Sequence, residues 1–523
     1  MSRSVIAFLL LAASLAPATA ANILRVANPG HPASLDPHRI TGVWENRIVG
    51  DMLVGLTTEG PDGSVIPGAA EAWTVSSDGL QYSFQLREHS WSDGEPVTGE
   101  DFVFAFRRMM SGETTSPYAQ FFWVIDNGRA VTAGELPPDA LGVSAPAPDR
   151  LEIRLERPTP YFLGLLMHFA AFPVPRHAVE THGNDWTQPG LMPANGAFRL
   201  AARVPNDHVL LERNPRFWEA ASVRLDGVRY FGLEDRDAAL LRFRAGELDV
   251  LRDFPASRTR WLREQMPGMV HTAPYLGLSF LAVNHARPAL QDVRVRQALA
   301  MAIDRETITG KVLGSGERPA LSLVPPGTHG YPDPPAPDWG DEPMDPRRAK
   351  ARQLLVAAGF GPGQPLELRL RYPQSENDRR VAIALQSMWR AIGVDVELER
   401  SETAIHYSAL QQGDFDLGLA SWLAVYDDAQ TFTLLLQTAS GPNNLGNYSD
   451  AEYDRLTAAA ARAGDPAARA ELLRAAEALA VREQALIPLY HHVSRNLVSP
   501  RVTGWQDNML DVNRSRYLGL SPE

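Results

Sequence analysis

The chain has 523 residues, 44% of them hydrophobic and 21% charged, enough for two or three domains with cores of their own. Its formal net charge of −12 argues against nucleic-acid binding and against docking on an anionic membrane surface. Cysteine is absent, which excludes disulfides, thiolate metal sites, a cysteine nucleophile and a lipid-modified cysteine.

In chain order, Arg3, the apolar run 5–15 and the small residues Ala18-Thr19-Ala20 read as a signal peptide over residues 1–20. The run is too short to span a bilayer, and no later segment is long and apolar enough to do so. Export without a lipid anchor points to a soluble protein of a Gram-negative periplasm. Strand patterns cover 23–27, 80–86, 151–155, 209–212, 279–283, 366–371, 394–398 and 416–420. Ser77-Asp78-Gly79 and Ser92-Asp93-Gly94 are turn signals, and Thr98 with Asp101 is spaced as a capping box ahead of an apolar helix. Helical periodicity covers 293–303, 347–358, 380–392 and 466–484, the last with Asp465 as N-cap and Pro466 at the first helical position. Alternation of the two patterns predicts an α/β fold. Residues 323–346 hold eight prolines and three glycines, a long surface loop or a cover over a domain edge.

Catalytic constellations are missing. There is no nucleophile elbow, zinc-protease helix or phosphate-binding loop. The 13 histidines are scattered, and the adjacent His491 and His492 would point to opposite faces of a strand. Asp427-Asp428 reads as the N-cap of a helix through Phe432 and Leu436. No enzyme activity, cofactor or metal site is expected.

The stretch from Ala70 to Arg108 closely resembles a signature of the family 5 extracellular solute-binding proteins of ABC importers. Further blocks resemble the same family in collinear order. They are Ser34-Leu35-Asp36-Pro37-His38, Asn195-Gly196-Ala197-Phe198, Leu211-Glu212-Arg213-Asn214-Pro215 and Arg244-Ala245-Gly246-Glu247-Leu248-Asp249. Asp292–Leu299, Ile303-Asp304-Arg305, Gly413-Asp414-Phe415-Asp416 and Leu486-Ile487-Pro488-Leu489-Tyr490 complete the set. The oligopeptide and murein-peptide branch is the most similar. The resemblance implies a periplasmic-binding-protein-like α/β fold with two hinged lobes and a third domain. Domain I would comprise 21–53, 179–279 and 492–523, domain II 54–178, and domain III 280–491. A monomer is expected, with a peptide or peptide-like ligand. ABC permease subunits and their ATPases would be its partners.

In the family a peptide lies extended between domains I and III, pairing through its main chain. The corresponding segments would be Thr41-Gly42-Val43 and Ala420 to Leu423, so Thr41, Val43, Ser421 and Leu423 are site residues by resemblance. Trp422 matches the family's cleft tryptophan and Tyr118 a cleft tyrosine. Tyr490, His491 and His492 match an aromatic run. One departure bears on the ligand: Val425 stands where the peptide branches have the aspartate that meets the peptide's ammonium. Asp427 or Asp428 is the candidate replacement. Two cleft arginines correspond to Leu410 and Leu419, a cleft tryptophan to Thr403 and a cleft histidine to Asp378. The ligand can therefore be a peptide, or a blocked or murein peptide. The alternatives in the same receptor role are a metal chelate, an oligosaccharide or an opine, with His406, His491 and His492 the residues to suspect for a chelate. A periplasmic chaperone-like peptide binder is a further alternative.

Overall fold

The computed structural model describes residues 22–424 and 426–522. The signal segment and Val425 lie outside the described residues. Eleven strands form one sheet: β1 (Ile23–Asn28), β2 (Phe198–Val204), β3 (His208–Arg213), β4 (Gly227–Gly232), β5 (Val250–Arg252), β6 (Val270–Val283), β7 (Arg318–Pro319), β8 (Leu366–Pro373), β9 (Val394–Ser401), β10 (Leu417–Leu423) and β11 (Leu486–Val498). Their spatial order is β9-β8-β10-β6-β11-β5-β1-β4-β3-β2, with β7 beside β11. The α/β class is as the sequence indicates, and the predicted strands and helices are all present with ends shifted by a few residues, except that the strand expected at 279–283 already begins at Val270.

Two long strands cross the whole molecule. The first part of β6, Val270 to Pro274, pairs with Leu497 to Val493 of β11, and its last part, Leu278 to Ala282, pairs with His491 to Leu486. Pairing lapses between Pro274 and Leu278. On one side of this lapse β11 joins β5, β1 and β4. On the other, β6 joins β10, which joins β8. The sheet thus has two halves held together by two continuous strands.

Strand periodicity decides what covers each face. In the second half Leu281, Val283, Leu417 and Leu419 face a cluster built with Val381, Leu385 and Trp389 of the helix Glu376–Arg390. Leu278, Phe280, Ala282 and Ala420, one residue out of phase, face a separate cluster containing Phe432, Tyr453 and Leu473. Burial on both faces is the mark of a doubly covered sheet. A further four-stranded sheet, formed within residues 70–154, packs on the helix Gly99–Met110 and joins the first half in one continuous core.

The sequence blocks that carried the resemblance form structural ties. Thr98 and Asp101 cap the helix Gly99–Met110 as expected. At its other end Arg108 reaches Asp36, with Nη2 and Nη1 donating at 2.5 and 3.0 Å, and Trp186 adds an indole N–H at 3.4 Å. Burial pushes the Asp36 carboxyl up, but its bonds to Arg108 outweigh this and hold it below the ordinary range. Asn195 bonds both N–H and C=O of Val54. Asp249 receives Arg25, and Arg296 and Arg305, both buried, donate to main-chain carbonyls. Removing one partner of a buried pair strands the other charge at a cost of about 3–5 kcal/mol. Arg108→Ala is therefore expected to lose stability of that order in urea unfolding. A loss below about 1 kcal/mol would show the Asp36 tie to be dispensable.

Candidate functional site

The residues expected at the site come from both halves of the sheet. From the first half, Tyr118 donates its hydroxyl to the carbonyl of Thr41 at 2.9 Å, and its ring packs against His168 and Phe169. Thr41 and Gly42 are not a free strand. Their N–H groups both donate to one carboxylate oxygen of Glu45, at 2.9 and 3.0 Å, and the chain enters the helix Val43–Met52 directly. In this structure the N–H groups of Thr41 and Gly42 and the carbonyl of Thr41, the segment expected from the resemblance to pair with a ligand, have partners within the chain. Val43 still presents an exposed side chain. It lines a cavity of about 50 Å³ with Asn46, Arg47, Tyr275 and the 510–514 segment.

Tyr275 and Arg47 had no signal in the sequence. Tyr275 sits in the lapse between β6 and β11, where burial pushes its phenol up to about 12. Arg47 is held by Asp511 at 2.9 Å. Asp511 also accepts from Asn496 of β11 at 2.8 Å and adopts a left-handed backbone.

From the second half, the outer edge of β10 carries Ser421 and Leu423, both exposed. The helix Thr403–Gln411 covers part of this edge: His406 Nε2 lies 2.9 Å from the Leu419 carbonyl, and the Tyr407 hydroxyl accepts the Ser421 N–H at 3.3 Å. Ser421 Oγ bonds Ser279 Oγ at 2.8 Å, which bonds His492 Nε2 at 2.9 Å. Burial drives the His492 imidazole down to about 4, so it is neutral at pH 7. The Tyr490 ring lies 5.5 Å from it. Trp422 is half-buried on the opposite face of β10, its indole N–H donating to Thr431 Oγ1 at 3.3 Å.

The two candidate amine anchors have different fates. Asp428 is paired with both terminal nitrogens of Arg469 at 2.7 and 2.8 Å, and it also accepts the Gln430 N–H at 2.8 Å. It is an ion-paired residue that stands one position before the N-cap: the helix expected through Leu436 runs Gln430–Thr433 with Ala429 as its N-cap, followed by a 3-10 turn over Leu434–Leu436. Asp427 accepts the His329 N–H at 2.9 Å and forms no ion pair among the described residues. The chelate reading loses its ligands: His491 bonds the Ser322 carbonyl, His406 bonds that of Leu419, and His491 and His492 lie on opposite sides of β11. No group of three metal-binding side chains occurs among the described residues. Leu410 and Leu419, in place of arginines, are core residues. A larger cavity of about 330 Å³ lies by His31, Arg203 and His208 at the ends of β1 and β4, and none of the expected site residues line it.

The proline-rich stretch 323–346 is a strap pinned by Glu477 of the helix Pro466–Glu483. The Leu323 and Val324 N–H groups donate to Oε1 at 2.6 and 2.8 Å, and the Tyr331 hydroxyl donates to Oε2 at 2.5 Å. The same strap supplies the His329 N–H to Asp427.

A doubly covered α/β sheet in two halves, joined by two through-strands and lined at the join by phenols, hydroxyls and an indole, defines a binding protein of the two-lobed type. The chain belongs to the bacterial extracellular solute-binding proteins, family 5, whose profile matches residues 64–444. It is 37% identical over 493 residues to the periplasmic murein peptide-binding protein MppA of Escherichia coli, covering 93% of this chain and 91% of that one. It is 36% identical to the periplasmic oligopeptide-binding protein OppA of Salmonella typhimurium, covering 91% and 88%. With the probable deoxycholate-binding periplasmic protein YgiS of Escherichia coli the identity is 35%, covering 92% and 90%. The unliganded open form of MppA superposes with a TM-score of 0.87 at 35% identity, covering 96% and 98% of the two chains. These relatives are periplasmic by name, and no helix among the described residues is long and apolar enough to cross a membrane.

Glu477 is fully buried and forms no ion pair among the described residues, and burial lifts its carboxyl from 4.5 to about 7 despite its three hydrogen bonds. The native state therefore holds a proton that the unfolded state releases. The associated stability is complete below about pH 4.5 and falls as pH rises through about 7, by roughly 3 kcal/mol. Glu477→Gln keeps the shape, its amide oxygen accepting the Leu323 and Val324 N–H groups and its amide N–H donating to the Tyr331 hydroxyl oxygen in a reversed bond, so the difference in urea stability between variant and wild type should grow in the variant's favour from pH 4.5 to 8. A difference independent of pH would remove Glu477 as its source.

Proposed function

We propose that this protein is a periplasmic receptor of an ABC importer that captures oligopeptides or peptide-like solutes between the two halves of its sheet. It would hand them to a membrane permease, with ATP hydrolysis by separate subunits driving uptake. The observation that carries the reading is the placement of exposed or half-buried side chains from both halves at the join made by β6 and β11. Val43 and Tyr118 contribute from one half, and Ser421, Leu423 and His492 from the other, with the buried Tyr490 behind them. Family membership and the peptide-binding names of MppA and OppA support it.

In this reading residues 21–53, 179–279 and 492–523 form one lobe and 280–491 the other, with 54–178 as the additional domain. The lobes close by bending at the lapse between Pro274 and Leu278, and the ligand favours the closed form by its higher affinity for it. The protein acts as a monomer and binds without catalysis or cofactor. Asp427 is the acidic group available to the solute's amine, since Asp428 is committed to Arg469. Trp422 contributes an apolar wall.

A non-peptide solute is the second reading. It is favoured by Leu410 and Leu419, which give the core two apolar residues where the resemblance expects cleft arginines, and by the name of the relative YgiS.

Titration calorimetry with free di- to pentapeptides tests the proposal. Binding is expected, and Trp422→Ala should weaken it at least about tenfold, or roughly 1.4 kcal/mol. The thermal midpoint should stay near wild type, since the indole is only half-buried. Full affinity in the variant would take Trp422 out of the site, and absence of binding by the wild type would favour the non-peptide solute.

A further inference from the structure

The cavity of about 330 Å³ is lined by none of the residues assigned to the solute. Strand register decides which side chains face it. Arg203 of β2 stands opposite Val209 of β3, and Val209 opposite Tyr230 of β4. Opposed residues share a face, so these three side chains lie on one side of the sheet, and Gly232, two positions beyond Tyr230, lies on that side too. The helix Val43–Met52 covers this face. The Tyr230 hydroxyl donates to its Asp51 at 2.7 Å, and Asn28 of β1, the partner of Gly232, donates to its Trp44 carbonyl at 2.7 Å. Ile48 of the same helix lines the cavity. The cavity thus sits at the carboxyl ends of the parallel strands β1 and β4, where α/β sheets place ligands.

Two donors are brought here by built features. A β-carbon on Gly232 would lie 2.3 Å from His31 Nδ1, so the imidazole takes the space that the glycine leaves. His31 forms no hydrogen bond or ion pair among the described residues. Arg203 Nη2 donates to the carbonyls of Pro32 and Ala33 at 2.8 and 3.2 Å. The N–H groups of Ala33 and Ser34 donate in turn to Glu45 Oε1 at 2.9 and 3.3 Å. The rim is therefore held in place before any ligand arrives, while Nε and Nη1 of Arg203 have no partner among the described residues. His208 is one position out of phase. Its ring lies by Phe231 on the other face, centroids 6.0 Å apart, with Nδ1 2.9 Å from Asp207.

The lining is one-sided in charge. No aspartate or glutamate lines the cavity, although the chain as a whole carries a net charge of −12. The acids of the covering helix are committed elsewhere. Glu45 accepts the N–H groups of Ala33, Ser34, Thr41 and Gly42, and Asp51 accepts the Tyr230 hydroxyl and the Ser515 N–H. Ile48, Val209 and Pro205 supply an apolar side.

We propose that this cavity is a second binding site, for a small organic acid. The acid's carboxylate takes a charge-assisted bond from Arg203 and a ring N–H from His31, and its aliphatic body lies against Ile48, Val209 and Pro205. The volume is in the range of small-molecule sites, and the apolar side selects a carbon skeleton over a bare anion. The site lies outside the solute-binding reading above and does not depend on it.

Titration calorimetry on the full chain tests this with glutarate, its uncharged diamide and inorganic phosphate, in a buffer free of other carboxylates and phosphate. Glutarate should bind with a dissociation constant below about 1 mM, at least about tenfold tighter than either of the others. Arg203→Gln should weaken glutarate at least about tenfold. His31→Ala gives up no hydrogen bond of the native fold, so it keeps the test decisive if Arg203→Gln does not fold, and it should weaken glutarate at least about threefold. Glutarate binding unchanged in either folded variant would place the acid elsewhere and overturn the site. Absence of glutarate binding by the wild type, or equal binding of the diamide, would overturn it too. Phosphate bound more tightly than glutarate would overturn the organic-acid assignment.

Discussion

Two backbone strands set what the rest of the molecule can do. β6 and β11 run through both halves of the sheet, and their hydrogen bonds fix the halves in register, so neither can slide past the other. The ladder between them is interrupted between Pro274 and Leu278 and shifts register again between Ser279 and Phe280. The site residues gather around this place. Tyr275 is in the lapse itself, Ser279 begins the next paired segment, and His492 lies opposite on β11. Gly277 is packed so closely that a β-carbon there would lie 2.7 Å from the Leu423 side chain and 3.0 Å from that of His492.

Buried charge supplies the rigidity on either side. Asp36 with Arg108 and Glu59 with Arg514 are desolvated pairs that tie distant segments of the first half together. In the second half Arg296 and Arg305 bind main-chain carbonyls, and Glu477 binds main-chain N–H groups without a cation. A stacked pair, Tyr161 on Tyr426 with centroids 4.9 Å apart, fastens the segment after β10 to the segment that follows the four-stranded sheet. Tyr426 accordingly belongs to the first-half core although its sequence neighbours belong to the second.

The scaffold was legible because its signals are local or motif-borne. Period-two runs located the strands, Thr98 with Asp101 and Asp465 marked helix starts, and the family-like blocks proved to be structural ties whose partners are remote. The ligand side was less legible, for the same physical reason in each case: its determinants are long-range. Arg469 lies 41 positions from Asp428, yet it removes that carboxylate from the candidates. Glu45 satisfies the N–H groups of Thr41 and Gly42 through a carboxylate that the sequence shows only as a residue in the first turn of a helix.

The central claim is that this chain captures a small solute between its two halves. Native mass spectrometry of the protein purified from a periplasmic extract, followed by denaturation and sequencing of what is released, tests it most directly. The account predicts a bound fraction heavier than the chain by a few hundred daltons, of the order of a short peptide, and a released ladder of short peptides. Release of a single compound without peptide bonds would contradict the peptide assignment. A chain that carries no adduct and takes up none from a peptide digest of the same extract would contradict capture itself.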